Sequence, residues 1–310
     1  MLDYLSLSAV AQVVREGSFE RAARALHVTP SAVSQRVKQL EDRLGLALIV
    51  RGTPCVATEA GAWLCRHVEQ VGMLERELHS ALPALGALDA GEQRVTLRVA
   101  VNADSLGTWL MPAIAAFGAR EPALVNLSID DETHTAEWLR TGAVLAAVTA
   151  SPKPGQGCRS VPLGRMRYRA TASPAFKKKY FARGVTAKAL AEAPSLAFSR
   201  KDKLQAQWLQ AVCGHAVEVP RHWLPSTQAF VAASVAGVGW GMNPATLVEP
   251  HLRDGSLVEL VRGADLQVPL YWHHVRLKIP MLERLTQDVV AAAREGLEPW
   301  DDVKATSAGR

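Results

Sequence analysis

The segment spanning residues 27–45, HVTPSAVSQRVKQLEDRLG, restricts the possible folds of this chain more than any other. Four of its apolar residues recur at spacings of four, three and four, which predicts a helix with one buried stripe. These residues are Val33, Val37, Leu40 and Leu44. Thr29 is suited to cap that helix, and Pro30 fits its first position, where no backbone N–H is needed.

The opposite face of this helix carries hydroxyl, amide and basic side chains. It consists of Ser31, Ser34, Gln35 and Lys38, with Arg36 beside it, and it has no acidic residue before Glu41 and Asp42. Small residues allow a helix to approach a surface closely, while glutamine, arginine and lysine reach base edges and phosphates. We therefore predict contact with DNA; the alternative is an ordinary solvated face.

The sequence around this helix supports a DNA-binding domain. Residues 1–45 are predicted to form three helices, of which the first has an apolar face and stops at Gly17. That face consists of Leu5, Leu7, Val10, Val13 and Val14. Only two residues separate Leu26, in the second helix, from Thr29, which indicates a helix-turn-helix. Residues 47–61, ALIVRGTPCVATEAG, are predicted to form an extended basic wing with Arg51 near its tip.

Nine residues are the candidate DNA contacts, and Ser18 is also suited to cap the second helix. They are Ser18, Thr29, Pro30, Ser31, Ser34, Gln35, Arg36, Lys38 and Arg51.

A long apolar helix is predicted from Thr58 to about residue 87, with Thr58 as its cap and Glu59 in its first turn. Its apolar residues are Ala62, Leu64, Cys65, Val68, Val71, Leu74 and Leu78. Pairing with a second copy of the chain would bury this surface and place two DNA-contacting helices about 34 Å apart. The stretch LGALDAGEQ, residues 85–93, loses this periodicity and is interpreted as a hinge.

Composition sets wider limits. The chain has 310 residues, enough for two or three domains, and its net charge of +5 agrees with a polyanionic partner without identifying one. The four cysteines form no C-x-x-C pair and are expected to be small core residues in a reducing compartment. The first residues do not resemble a signal peptide, and no apolar run is long enough to cross a bilayer, so we expect a cytoplasmic protein without membrane contact.

In the second half, strands alternate with helices, which indicates an α/β domain with a largely parallel sheet. The strands include RVTLRVAV at 94–101 and VPLYWHHV at 268–275, and the last helix is PMLERLTQDVVAAAREG. We expect the chain to cross between two lobes near residues 164–168 and 266–272. The adjacent His273 and His274 face opposite ways on a strand, so they do not indicate a metal site.

Ligands of open α/β sheets bind beyond the carboxyl ends of the strands, and the residues there suit a small amino acid. Ser105 and nearby N–H groups can hold a carboxylate, while Asp104 and the acidic residues of 130–132 can hold ammonium groups. The alternatives are that Asp104 only caps its helix, that residues 130–132 form a solvated turn, and that Arg200 and Asp202 pair on the surface. The candidate effector contacts are Asn102, Asp104, Ser105, Thr108, Trp109, Asp130, Asp131, Glu132, Thr133, Tyr168, Arg200, Asp202, Ser226, Thr227 and Phe230.

The stretch GSFERAARALHVTPSAVSQRVKQLEDRLGLALIVR, followed by ATEAG, resembles the N-terminal domain of LysR-type transcriptional regulators. Four later stretches resemble the ArgP/LysG subfamily, which regulates export of basic amino acids: VAVNADSLGTWLMPA, DDETHTAEWLRTGAVLAAVT, GVGWGMNP and LYWHHVRL. The resemblance implies an α plus α/β chain with a winged helix-turn-helix, a dimerising linker helix and a two-lobed effector domain like periplasmic binding proteins. The domains would be 1–58, 59–91 and 92–300, with lobes 92–165 plus 269–300 and 166–268, and a disordered tail at 301–310.

The implied function is regulation of transcription. Such proteins bind double-stranded promoter DNA as homodimers or homotetramers and activate an exporter gene when lysine or arginine is plentiful, with RNA polymerase as a further partner. No cofactor beyond the effector is implied. The alternatives are a regulator with another small effector and an amino-acid-binding protein without regulatory DNA binding. An enzyme is disfavoured, since the sequence has no nucleophile–base motif, metal cluster or cofactor fingerprint.

Overall fold

The computed structural model describes residues 3–81, 95–129, 138–139, 142–277 and 279–300. The chain divides into a first unit, mainly Met1–Val95, and a second unit that begins at Thr96. The predicted hinge at 85–93 and the predicted tail at 301–310 lie outside the described residues. Among the residues described, no helix is both long and apolar enough to span a membrane.

The first unit contains four helices and a two-stranded antiparallel hairpin among its described residues. They are α1 (Tyr4–Glu16), α2 (Phe19–Ala25), α3 (Pro30–Leu44), β1 (Ile49–Val50), β2 (Val56–Ala57) and α4 (Glu59–Ala81). The predicted caps are confirmed: Ser18 accepts from the N–H of Arg21 and Thr29 from that of Ala32. Gly17 ends α1 in the left-handed conformation, which glycine adopts without strain.

The core of this unit joins the apolar faces of α1 and α3. Leu7, Val10 and Val13 of α1 are fully buried, as are Val33, Val37 and Leu40 of α3. The prediction that Leu44 is buried is wrong, because its side chain is 38% exposed; Leu5, on the apolar face of α1, is 63% exposed. Each lies in a terminal turn of its helix, where the apolar stripe continues past the end of the core.

The fourth helix is anchored closely to the rest of this unit. The Thr58 hydroxyl donates to the Ala47 carbonyl (2.7 Å) and accepts from the N–H of Gly61 (3.1 Å), which confirms Thr58 as the cap. A Cβ on Gly61 would lie only 1.9 Å from the Leu48 carbonyl oxygen, so no other residue fits there without displacement. The first turns of α4 also contribute Ala60, Leu64, Cys65 and Val68 to the core.

The second unit alternates strands and helices, as predicted. Its elements are β3 (Thr96–Val101), α5 (Ala103–Gly107), α6 (Met111–Arg120), β4 (Leu124–Ile129), β5 (Ala146–Thr149), β6 (Cys158–Ala172), α7 (Pro174–Phe181), α8 (Ala187–Glu192), β7 (Ser195–Ala197), α9 (Leu204–Cys213), β8 (Arg221–Trp223), α10 (Thr227–Val235), β9 (Gly241–Pro244), α11 (Ala245–Asp254), β10 (Val258–Glu259), β11 (Leu266–Val275) and α12 (Pro280–Gly296).

The long strands β6 and β11 pair antiparallel along their length, from Leu266 with Tyr168 to Val275 with Cys158. One end of this pair is flanked by β5, which is followed by β3 and β4. The other end is flanked by β9 and β10. We call the β3–β5 side the first lobe and the side containing β7–β10 the second lobe. The predicted crossing segments, 164–168 and 266–272, lie within β6 and β11.

The prediction of a largely parallel sheet is wrong for this seven-stranded sheet. Only the pairings of β3 with β4 and β5 are parallel, and the remaining pairings, centred on β6 and β11, are antiparallel. The reason is that the two crossing strands are direct neighbours and run in opposite directions. Parallel pairing also joins β7 to β8 in a separate two-stranded sheet of the second lobe.

Candidate DNA interface and candidate effector site

The polar face of α3 lies on the surface of the first unit, and we call α3 the reading helix. Ser31, Gln35 and Lys38 are exposed, while Ser34 and Arg36 are half-buried. The buried stripe occupies the other side of the helix. The amide and ammonium groups of this face are therefore available to a partner. This arrangement is the geometry required of a helix that enters the major groove.

Two of the candidate DNA contacts serve first as helix caps. The Thr29 hydroxyl accepts from the N–H of Ala32 and lies 3.0 Å from the Ser31 hydroxyl. The Ser18 hydroxyl donates to the Glu20 carboxylate (2.6 Å), and this hydrogen bond lowers the pKa of Glu20. Both caps leave backbone N–H groups at the start of a helix, a location that favours phosphate oxygens.

Arg51 follows β1 and is exposed. Its guanidinium lies over the Phe19 ring, 5.3 Å from the centroid, which is cation–π geometry. The contact holds the wing arginine beside the first turn of α2. Arg51 therefore retains donors that can reach a phosphate while its position is restricted.

Glu41 has a role that the sequence analysis missed. One carboxylate oxygen accepts from the backbone N–H groups of Leu48 (2.7 Å) and Ile49 (3.3 Å). The end of the reading helix is thereby tied to the strand that leads into the wing. No short-range pattern marks this interaction, because an acidic residue near a helix end is usually solvated.

In the second unit, Asp104 connects the two lobes. Asp104 lies in α5 of the first lobe; its Oδ1 accepts from the Thr227 hydroxyl (2.7 Å) and its Oδ2 from the Tyr168 hydroxyl (2.8 Å). Thr227 begins α10 of the second lobe, and Tyr168 lies on the crossing strand β6. We call these three residues the Asp104 cluster. Three of the predicted effector contacts are therefore brought together.

Burial raises the pKa of Asp104, and the nearby Asp202 raises it further. The two hydroxyl donors act in the opposite direction without cancelling the effect of desolvation. A carboxylate in such an environment lacks the charge compensation that a cation would supply. The Asp104 cluster is therefore suited to an ammonium or guanidinium group.

Asp202 has a structural role that the sequence did not indicate. Its Oδ2 accepts from the Phe198 N–H (2.9 Å) and its Oδ1 from the Leu204 N–H (3.0 Å), so the carboxylate shapes the turn before α9. Arg200 is exposed. The negative charge of Asp202 lies close enough to raise the pKa of Asp104.

The start of α5 differs from the prediction. Asn102 caps the helix by accepting from the Ser105 N–H (2.7 Å), so the alternative that Asp104 only caps its helix is wrong. Ser105 is fully buried, and its hydroxyl accepts from the Trp109 indole N–H (3.1 Å). The Thr108 hydroxyl donates to the Asp104 carbonyl (2.6 Å). Ser105 and Trp109 thus support α5, and the carboxylate-binding role predicted for Ser105 is not favoured.

The start of α10 is exposed to solvent at Ser226, which caps this helix through the Ala229 N–H. Phe230, one turn later, is buried, and its Cε1 atom occupies the space where a Cβ on Gly241 would lie 2.3 Å away. Phe230 therefore positions α10 against β9 rather than facing solvent.

Several predicted residues lie outside the described part of the chain or apart from the Asp104 cluster. Asp130, Asp131, Glu132 and Thr133 lie outside the described residues. His273 is buried and His274 half-buried on β11, and burial lowers the pKa of both. Within the described ranges, no group of three potential metal ligands occurs.

Both units match known protein families. Residues 5–62 match the model of the bacterial regulatory helix-turn-helix proteins of the lysR family, and residues 90–296 match the LysR substrate binding domain. A DNA-binding helix-turn-helix joined to a ligand-binding domain defines a DNA-binding transcription regulator. The chain belongs to the LysR family of such regulators.

Similar proteins extend over nearly the whole chain. The transcriptional regulator ArgP of Pseudomonas fluorescens is 43% identical over 97% of this chain and 100% of its own length. The crystal structure of ArgP from Mycobacterium tuberculosis has a TM-score of 0.81 at 43% identity, covering 97% of this chain and all of that one. Full-length LysG from Corynebacterium glutamicum, solved with the effector arginine bound, has a TM-score of 0.72 at 37% identity over 96% of this chain and all of that one.

Proposed function

We propose that this regulator senses a basic amino acid, arginine or lysine, and controls transcription of a gene for an amino-acid exporter. The observation that carries the proposal is the Asp104 carboxylate, which is buried between elements of the two lobes and accepts hydrogen bonds from two neutral hydroxyl groups. The arginine-bound structure of the similar LysG supports the same class of effector.

The chemistry favours a cationic ligand. Hydrogen bonds between a cation and a carboxylate are shorter and roughly twice as strong as neutral ones. A buried carboxylate also gains from a nearby positive charge, because burial without a counter-charge is costly. The side-chain ε-ammonium of lysine or guanidinium of arginine would satisfy Asp104. The α-ammonium, which every amino acid carries, is left for other acceptors in the cleft.

The DNA-binding part of the proposal assigns base contacts to Ser34, Gln35 and Arg36. Lys38 and Arg51 would contact phosphates, which makes binding depend steeply on salt. Thr29, Pro30 and Ser31 would bring the start of the reading helix close to the duplex, and Ser18 would contact the backbone.

The proposal also requires a homodimer, in which α4 pairs with a second copy. Trp63, Leu74 and Leu78 of α4 are 43%, 45% and 50% exposed, respectively. Large apolar side chains at this exposure along one helix favour a protein partner. Two reading helices would then contact successive turns of DNA, and assembly to a homotetramer through effector domains would lengthen the bound site.

Regulation would follow from a shift between two arrangements of the lobes. A ligand changes this equilibrium only by as much as it binds one arrangement better than the other. Binding at the Asp104 cluster contacts elements of both lobes, so it has this differential effect. The altered dimer would hold or bend promoter DNA differently. This change would alter the contact between the regulator and RNA polymerase at the promoter.

The test combines calorimetry with gel-shift assays on the DNA upstream of this gene and of neighbouring exporter genes. We expect arginine or lysine to bind, and the neutral analogues citrulline and norleucine to bind at least tenfold more weakly. We expect the bound amino acid to change the mobility or salt sensitivity of the protein–DNA complex. Binding of DNA that is independent of every amino acid would exclude this effector class, and equal binding of the analogues with charged and with neutral side chains would exclude Asp104 as the partner of the side-chain charge.

A further inference from the structure

We infer that the hydroxyl groups of Thr227 and Tyr168 are internal competitors of the effector: they satisfy Asp104 while the lobes are closed on it and must release it when a cationic amino acid enters. The inference rests on the proposed function, because it concerns the regulation of the same site. It goes further by assigning to two residues an effect that opposes binding. A direct ligand contact would have the opposite effect.

Both oxygens of the Asp104 carboxylate are already paired with hydroxyl groups. Each oxygen of the Asp104 carboxylate already accepts one hydroxyl, at 2.7 Å from Thr227 and at 2.8 Å from Tyr168. Both distances are ordinary for O–H···O hydrogen bonds. The two donors come from the second lobe and the crossing strand, so the bonds close the lobes on Asp104. An entering ammonium would approach the same two oxygens.

The space between α5 and α10 is too narrow for an amino acid to pass. The end of α5 approaches the start of α10 so closely that a Cβ on Gly107 would lie 3.1 Å from the Gln228 side chain and 3.5 Å from Thr227. Thr227 and Tyr168 are themselves 4% and 5% exposed. An amino acid cannot pass between these helices while they remain in contact. Entry between α5 and α10 therefore requires α10 to move away from α5, and this movement breaks the bond between Thr227 and Asp104.

The charge of Asp104 also favours exchange of the hydroxyl groups for a cation. Two neutral hydroxyl donors leave the pKa of Asp104 raised, because they do not compensate for burial. A cation supplies the missing compensation, so exchange of hydroxyls for a cation is favourable. An analogue with a neutral side chain would have to break the same bonds without this gain. The hydroxyl pair therefore lowers the affinity for every ligand and favours ligands with a cationic side chain.

The consequence is a measurable gain of affinity when a competitor is removed. An apparent dissociation constant is the intrinsic constant divided by the fraction of protein in the binding-competent state. Loss of one hydroxyl–carboxylate hydrogen bond from the closed state raises that fraction, so Thr227→Val and Tyr168→Phe should each bind arginine at least about 10-fold more tightly. Thr227→Ser keeps the hydroxyl and should retain wild-type affinity.

Titration calorimetry of the full chain with arginine, lysine and citrulline tests this inference, and thermal unfolding of each ligand-free variant shows whether it folds. Thr186→Val and Tyr180→Phe are matched controls. Thr186 caps α8 through the Ala189 N–H, and Tyr180 lies in α7 beside Phe176, so neither is part of the Asp104 cluster. Both controls should bind arginine as the wild type does.

The possible outcomes separate this inference from the proposed function. Wild-type protein that binds arginine, together with tighter binding by Thr227→Val and Tyr168→Phe, supports both. Wild-type binding with unchanged or weaker binding by the two variants overturns the inference alone, because the hydroxyls would then be bystanders or ligand contacts. Absence of arginine and lysine binding by the wild type overturns the proposed function and the inference with it.

Discussion

Glu41 binds the backbone N–H of Leu48 through one carboxylate oxygen at 2.7 Å and thereby joins the reading helix to the wing. The same oxygen accepts from the N–H of Ile49, the first residue of β1. An ionised acceptor makes such hydrogen bonds stronger than a neutral one does. The relative position of the two DNA-contacting elements therefore depends on a side chain that lies nearer the C-terminal end of the reading helix than the proposed base contacts do.

Replacement of Glu41 with Ala should lower the free energy of unfolding by about 1–3 kcal/mol, because two backbone donors lose a charged acceptor. Chemical denaturation measures this change, and Glu41→Gln, which retains an acceptor oxygen, should lose less. Glu41→Ala should also bind random and promoter DNA more weakly, since the wing is no longer tied to the reading helix through Glu41. Asp42→Ala is the control, as Asp42 is exposed on the same helix. Equal stability of all three variants would show that the Glu41 bonds contribute nothing.

Gln35 is expected to read a base edge. Its removal in Gln35→Ala should reduce the preference for the promoter site over random DNA by about 1–3 kcal/mol. Arginine binding should not change, because Gln35 belongs to the first unit. Competition gel shifts with specific and random duplexes measure the preference. An equal loss of affinity on both duplexes would contradict a role in base recognition.

Lys38→Ala provides a contrasting prediction on the same helix. A phosphate contact carries no sequence information, so affinity should fall about equally on all duplexes. The slope of the logarithm of the binding constant against the logarithm of salt concentration should decrease by about one unit. An unchanged slope would place Lys38 away from the phosphates.

Local signals were sufficient to predict the reading helix and its flanking turns. Ser18, Thr29 and Thr58 act as caps in the structure because a cap depends only on residues within one turn of it. For α5 the same local reasoning offered Asp104 as an alternative cap, whereas the cap is Asn102, because both are suitable residue types two positions apart. The buried stripe was right at Val33, Val37 and Leu40 and wrong at Leu44, because periodicity does not show where the core ends.

The Asp104 cluster could be predicted only as a list of separate candidates. Thr227 lies 123 residues from Asp104 in sequence and Tyr168 lies 64 residues away. Their contact depends on two crossing strands whose antiparallel pairing contradicted the expected parallel sheet. The sequence therefore predicted which residue types a cationic ligand needs, while the assignment of two hydroxyls to one carboxylate required the fold.

Asp104→Asn should reduce arginine affinity by at least about 30-fold, because loss of one member of a buried charge pair usually costs 2–5 kcal/mol. Its effect on stability should depend on pH. Burial raises the pKa of Asp104, so the folded protein holds this proton more tightly than the unfolded chain does. The stabilisation from the protonated carboxyl is complete below the ordinary aspartate pKa and is lost as pH rises through the raised value.

The neutral amide introduced by Asp104→Asn does not undergo this loss. The stability of the variant relative to the wild type should therefore increase as pH rises through that window, and denaturation from pH 4 to pH 8 measures it. Asp202 and Tyr168, the titratable groups of the described residues that affect the pKa of Asp104, are present in both proteins. A stability difference that does not vary with pH would contradict a raised pKa for Asp104.

Substitution by alanine is expected to have opposite effects on stability at two glycines of α4. A Cβ on Gly61 would lie 1.9 Å from the Leu48 carbonyl oxygen and 2.9 Å from the carbonyl carbon, whereas a Cβ on Gly72 meets nothing within 4 Å. Gly61→Ala should therefore push α4 away from the core and lower the free energy of unfolding by about 1–3 kcal/mol, the usual cost of overpacking. Gly72→Ala should raise it by about 0.5–1 kcal/mol, because alanine restricts the unfolded chain and favours the helix.

Urea denaturation of the two variants at equal protein concentration measures both effects. The two changes share one helix and one added methyl group, so the contrast isolates the contact with Leu48. Since α4 is also the proposed dimerisation helix, sedimentation should accompany the comparison. A Gly72→Ala protein that dissociates would place Gly72 in a close helix–helix contact with the second copy, whereas a Gly61→Ala protein as stable as the wild type would contradict the close approach of α4 to Leu48.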